Sequence, residues 1–101
     1  MKIAIDFDGV ICARNGIPTG ELTWDDKPVD GALDAIKLFQ KTGKKVWVFT
    51  SNPDLDGVRD WLKKHNFPEI EVTNIKKPAH AFIDDRAIRF TNWQDIRKYF
   101  A

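Results

Sequence analysis

The chain has 101 residues but only one cysteine, Cys12, so no disulfide can form within it, and a reducing compartment is the default expectation. It lacks any apolar run near the roughly 20 residues of a membrane span. Its first apolar stretch is short and carries Asp6, which does not suit a signal peptide. The expected location is therefore cytoplasmic, with no membrane partner. An excess of charge is missing too: 16 Lys and Arg against 15 Asp and Glu leave a net charge of +1. That balance gives no reason to invoke nucleic acid. The two histidines, His65 and His80, have no metal-ligand company, which argues against zinc. Repeats, linkers and low-complexity tracts are absent, and the length fits one domain over residues 1–101.

What the chain does have is an apolar stretch, Lys2 to Ile5, that runs into Asp6-Phe7-Asp8-Gly9. In a strand alternate side chains share a face, so the two carboxylates point together while Ile3, Ile5 and Phe7 pack. Like charges held that close suit a bound cation and a division of labour, one acid attacking and the other moving a proton. The plainer reading is a strand end followed by an Asp-Gly turn. For Cys12, a packed thiol is the ordinary role of a lone cysteine.

Further along, Asn15-Gly16 is a two-residue turn signal between Val10-Ile11-Cys12 and Leu22-Thr23-Trp24, predicting a short hairpin flap beside the acidic strand end. Asp30 reads as the N-cap of a helix with the stripe Ala32, Ala35, Ile36 and Phe39, closed by Gly43. Lys45 to Thr50 is β-branched and aromatic, as suits a buried parallel strand. Asn52-Pro53 reads as the start of a second helix that buries Leu55, Val58 and Leu62, with Trp61 and His65 at the stripe's edge. Ile70 to Thr73 and Ala79 to Ile83 read as strands, and Ala87 to Phe90 as a brief last one. Thr91 with Gln94 forms a capping-box pattern for a final helix presenting Trp93, Ile96 and Phe100. Strands alternating with helices predict an α/β fold: a three-layer, Rossmann-like domain with a mainly parallel central sheet.

Ligands of open parallel sheets bind beyond the carboxyl ends of the strands. This chain places Asp6 and Asp8 there, then Thr50 and Ser51, then Asp84 and Asp85, with Lys76 and Lys77 in the loop entering the last of these strands. A phosphate ester with Mg2+ gives each group a task. Magnesium takes oxygen ligands, and Asp6, the Asp8 backbone carbonyl and one acid of the 84/85 pair are able to supply them. A carboxylate nucleophile splits a slow hydrolysis into two displacements. Thr50 would hydrogen-bond the phosphoryl oxygens, and Lys77 would balance their charge beside Asp6. Ser51 in place of Thr50, and Lys76 in place of Lys77, remain open. Asn52, Arg86, Arg14, Asn15 and Trp24 are candidates for leaving-group contact, set against packing for Trp24 and a simple ion pair for Arg86.

These residues resemble the haloacid dehalogenase-like (HAD) superfamily of phosphohydrolases over most of the chain. Asp6-Phe7-Asp8-Gly9-Val10 is similar to its first motif, Thr50 after Val46 to Phe49 to its second, Lys77-Pro78 to its third and Ile83-Asp84-Asp85 to its fourth. Val10 stands where that first motif more often has threonine. The resemblance implies Asp6 as nucleophile, Asp8 as general acid and base, Thr50 and Lys77 as phosphate ligands, and Asp85 as metal ligand with Asp84 assisting. It also implies a phosphatase, because the acid two residues after the nucleophile is absent from the dehalogenases and replaced by threonine in the transport ATPases. No gap between motifs is long enough for the family's inserted cap domain. The expected site is therefore open to a small phosphorylated molecule or to a macromolecular end, unless a second subunit of a homo-oligomer covers it. Two alternatives stand beside this reading: a receiver-like module that is phosphorylated without turnover, and a catalytically inactive HAD-like fold that binds phosphate or metal.

Overall fold

The computed structural model of the protein describes residues 1–13, 24 and 26–100. Their elements are β1 (Lys2–Ile5), α1 (Ala32–Lys41), β2 (Lys45–Phe49), α2 (Leu55–Lys64), β3 (Glu71–Thr73), β4 (Ala81–Ile83) and α3 (Trp93–Phe100). The four strands form one sheet in the order β3-β2-β1-β4, and every pairing in it is parallel. This is the expected α/β architecture with a parallel sheet, compatible with a Rossmann-like fold. The turn of the expected flap, with Arg14 and Asn15, lies outside the described residues. The ends of that segment are tied together, Ala13 N donating to Lys27 O and Val29 N to Ile11 O, both at 2.8 Å. No helix among the described residues is long and apolar enough to cross a membrane.

The pairing register sorts the side chains onto two faces. Ile3 is level with Val46, Ile5 with Val48, and Val48 with Val72. These residues point to the face where α1 and α2 lie, and they pack there with Ile36, Val58, Trp61, Leu62 and Phe67. Trp61 is central to this core, not at its margin as the helical stripe suggests. Its ring meets Phe7 edge-on at 5.1 Å and Phe67 at 5.9 Å, and its indole N–H donates to Asp26 O at 3.0 Å. The aromatic surface is thus buried without stranding its polar atom.

On the opposite face the register brings Trp47 level with Ala4 and Phe82 level with Ala4 from the other side. Two lysines of the segment 74–80 lie there, Lys77 over Trp47 at 4.6 Å and Lys76 over Phe82 at 5.0 Å. The expected third layer is not built: α3 has no buried residue and approaches no other helix or strand among the described residues. Its amphipathic stripe was legible, but the surface it packs on is not supplied by its own sheet.

Other local expectations are corrected by hydrogen bonding. Asp30 does not cap α1; Gly31 takes that position in the left-handed region, φ 86°, without a side-chain cap. Asp54, not Asn52, caps α2, its carboxylate accepting from Gly57 N at 2.8 Å. Residues 87–90 form no strand, since no strand lies beyond β4 to pair with them. For α3 the capping pair is Asn92 and Asp95, Asp95 N donating to Asn92 Oδ1 at 2.9 Å, one residue on from Thr91 and Gln94.

Because Trp61 joins α2 to both the sheet and Phe67, Trp61→Ala should lower the free energy of unfolding by about 3–5 kcal/mol. Urea titration at constant slope measures it, and a loss below about 0.5 kcal/mol would mean that the ring lies at the surface.

Candidate functional site

The acidic edge is built from two strand tips. β1 stops at Ile5, but the ladder continues one step further, with Asp6 N donating to Ile83 O at 2.9 Å. That bond sets the residue after β1 beside the end of β4. The next residue, Phe7, is driven into the core and wholly buried. Its carbonyl accepts from the N–H groups of Val10, Ile11 and Cys12 at 3.3, 3.0 and 3.0 Å, and Gly9 N donates to Cys12 O at 2.8 Å. Phe7 is thereby pinned at both its ring and its carbonyl, and the acids on either side of it, Asp6 and Asp8, remain half-buried at the rim. Cys12 is buried and packs in the core cluster.

From β4, Asp84 Oδ1 accepts from Arg86 N at 2.8 Å, which turns the chain sharply after the strand. Asp85 folds against the first tip. Gly9 has φ +85°, and a Cβ built on it would overlap the Asp85 carboxylate. Glycine at position 9 therefore serves twice, permitting the left-handed backbone and leaving room for the acid. Arg86 Nε lies 3.9 Å from Asp85 Oδ1, a loose and solvent-exposed pair.

One carboxylate oxygen from each of Asp6, Asp84 and Asp85 lies within 4.8 Å of the other two. Asp6 Oδ2 is buried and has no hydrogen-bond partner among the described residues. The Asp6 pKa rises from 3.8 to about 6, first because burial penalises its charge, and then because Asp84, Asp8 and Asp85 add negative potential; a backbone hydrogen bond at Phe7 opposes the rise. Three converging hard oxygens, from a set whose Asp6 carboxylate is partly desolvated, suit a divalent cation such as Mg2+. The Asp8 carboxylate stands outside this triangle, although its charge is felt by Asp6.

The remaining expected residues divide. Thr50 ends the strand beside β1 and is 1% exposed, its Oγ1 accepting from Asn52 N at 3.0 Å. A hydroxyl that accepts there keeps its own proton to donate. Asn52 is 3% exposed, and its Oδ1 accepts from Asp54 N at 3.0 Å while Nδ2 is buried without a partner. Ser51 is exposed. Lys77 is not gathered with the acids: its ammonium bonds Glu71 on β3 and lies over Trp47. Lys76 lies over Phe82, on the strand that carries Asp84 and Asp85. Trp24 packs partly buried against the core, 6.4 Å from the Phe7 ring.

Two functional details escaped the sequence. Glu71 as partner of Lys77 was unreadable, because it depends on which strand occupies the sheet edge. Gly9 as the seat for Asp85 was hinted at by the Asp-Gly pair, which signalled a turn and nothing about the second acidic tip. A concavity of about 440 Å3 is lined by Arg89, Thr91, Asp95, Ile96, Lys98 and Tyr99 and includes none of the site residues. Comparison of the chain with known protein families, curated proteins and solved structures gave no match.

The raised Asp6 pKa fixes the sign of a pH effect. The folded state holds the Asp6 proton more tightly than the unfolded chain, so this residue subtracts nothing below 3.8, subtracts progressively up to about 6, and fully above it. Asp6→Asn should therefore raise the thermal midpoint of the metal-free protein at pH 7.5 and leave it nearly unchanged at pH 3.5. Added Mg2+ should stabilise the parent at pH 7.5 by about 1.4 kcal/mol when present at tenfold its Kd. Asp85→Asn should lose that gain, and equal Mg2+ shifts in parent and variant would remove Asp85 from the ligand set.

Proposed function

We propose that this protein is a Mg2+-dependent phosphatase that hydrolyses a phosphate monoester through an aspartyl-phosphate on Asp6. The observation that carries the reading is the meeting of the two strand tips, which sets a half-buried carboxylate with an unpartnered oxygen beside Asp84 and Asp85. The resemblance to the HAD-like phosphohydrolases supplies the order of motifs, and the residues of the first and fourth of them meet at the acidic edge.

Asp6, Asp84 and Asp85 would hold the cation, which supplies positive charge that makes the approach of one anion to another tolerable. In the first displacement a carboxylate oxygen of Asp6 forms a bond to phosphorus as the bond from phosphorus to the ester oxygen breaks. Asp8, as the acid, gives its proton to the departing oxygen. In the second, water attacks the same phosphorus and Asp8 takes the proton from that water. The bond from phosphorus to Asp6 breaks, phosphate leaves, and both carboxylates return to their starting forms. Asp8 suits the proton work because it neighbours Asp6 without belonging to the ligand triangle.

Thr50 donates its hydroxyl proton to a phosphoryl oxygen, and the spare N–H groups of buried Asn52 make it a second donor at the same strand end. Lys77 serves the phosphate only by leaving Glu71, and Lys76 is the alternative cation at β4. Arg86 and Ser51, both exposed, face the leaving group. The acids lie at an open edge, so the substrate is either a small phosphorylated molecule or the phosphorylated end of a larger one.

Hydrolysis of an aryl phosphate should require Mg2+, stop with EDTA, and fall by at least about 10³-fold in Asp6→Asn while the circular dichroism is unchanged. Asp8→Asn should slow turnover by about 10²–10⁴-fold. Equal rates for the parent and Asp6→Asn would remove the nucleophile. A stable label from an acyl-phosphate donor, without turnover, would replace the phosphatase by a receiver-like module.

A further inference from the structure

Residues 81–100 depart from the packing that governs the rest of the chain. β4 is hydrogen-bonded along β1, yet none of its three residues is buried, whereas parallel strands are normally covered on both faces. Phe82 is 43% exposed and meets Phe49 at 6.3 Å on the face opposite α1 and α2. Beyond β4 the chain forms an arm, residues 87–100, on which Ile88, Phe90, Trp93, Tyr99 and Phe100 are all exposed, Trp93 to 71% and Phe100 to 77%. Trp93, Ile96 and Phe100 fall on one stripe of α3. That helix has 8 residues and approaches no other helix or strand among the described residues. Helices so short do not persist alone in water, so α3 needs a surface to lie on.

The size of the uncovered surface says what kind of partner fits. At 150–250 Å2 for each aromatic side chain, the exposed fractions of this segment amount to on the order of 700 Å2 of apolar area. That is close to the roughly 800 Å2 per partner of a stable interface. The two halves of the surface are complementary in kind, one an exposed strand with an aromatic pair, where Phe82 lies under the Lys76 ammonium, and the other an aromatic helix stripe. Both belong to the same chain. A net charge of +1 opposes self-association very little.

We propose that β4 and the arm form the interface of a two-fold homodimer in which α3 of each copy lies over β4 and the Phe49–Phe82 pair of the other. A two-fold operator makes the exchange reciprocal, so one association event covers both bare strands and both helix stripes. The inference uses none of the acidic residues, and Lys76 over Phe82 is the one group it shares with the phosphatase reading.

Sedimentation equilibrium of the full chain should give twice the 11.6 kDa chain mass at micromolar concentration. Trp93→Lys should weaken the dimer by at least about 30-fold with an unchanged circular dichroism spectrum, because Trp93 contributes nothing to the monomer core. In a mixture of isotope-labelled and unlabelled chains, filtered NOEs should connect Phe82 of one chain to Trp93 or Phe100 of another. A monomeric mass throughout, a dimer indifferent to Trp93→Lys, or contacts from Phe82 to α3 confined to single chains would each overturn the proposal.

Discussion

The hydrogen bond from Asp6 N to Ile83 O is the constraint on which the site depends. Parallel pairing of β1 with β4 aligns their carboxyl ends, and this added rung carries the alignment one residue past the strand. Each tip continues with acid, so the same backbone geometry that completes the sheet forces like charges together. Nothing in the sheet requires acids there. The Asp6 carboxylate is held where burial and three neighbouring carboxylates all disfavour its charge, a local cost of the kind that folds accept where a ligand repays it.

The surroundings of that rung explain how the cost is borne. Phe7 anchors the first tip in the core, with its ring against Trp61 and its carbonyl accepting three N–H groups. A tip fixed so firmly cannot relax outward to separate Asp6 from its neighbours. Gly9 removes the side chain that would hold Asp85 off, and the Asp84 turn keeps the second tip close. Rigidity here is supplied by burying the one apolar residue between the two acids.

How much of this was legible follows from the range of each interaction. β1, the helical stripes of α1 and α2, and the acidic ends of β1 and β4 could be read, because period and composition are local properties. Their meeting was inferable because parallel strands share an end. The caps slipped by one or two residues, since Asn52 is drawn into a turn by Thr50 and leaves Asp54 to close the helix. Ile88 and Phe90 alternate as a strand does, but a strand needs a partner and the sheet ends at β4. Position 77 was the hardest to read: a long side chain finds whichever anion the tertiary fold brings near, and Glu71 lies on the far edge strand.

Lys77 also shows why a side chain placed away from the acids need not be lost to them. Its pair with Glu71 is part-exposed, with side-chain accessibilities of 34% and 51%, and pairs of that kind contribute only about 0–1 kcal/mol. The contact with the buried Trp47 ring adds roughly 0.5–2 kcal/mol, the range from exposed to desolvated sites. On the proposed phosphatase reading, a doubly charged phosphate at the acidic edge would compete with both interactions through full charges in a partly desolvated setting. Lys77 stands two residues after Ile75 on a segment crossing the open sheet face, and Lys76 already lies over β4. On the proposed phosphatase reading, the Lys76 and Lys77 ammonium groups rest over aromatic rings, and Lys77 would have to leave Glu71 to reach the phosphate.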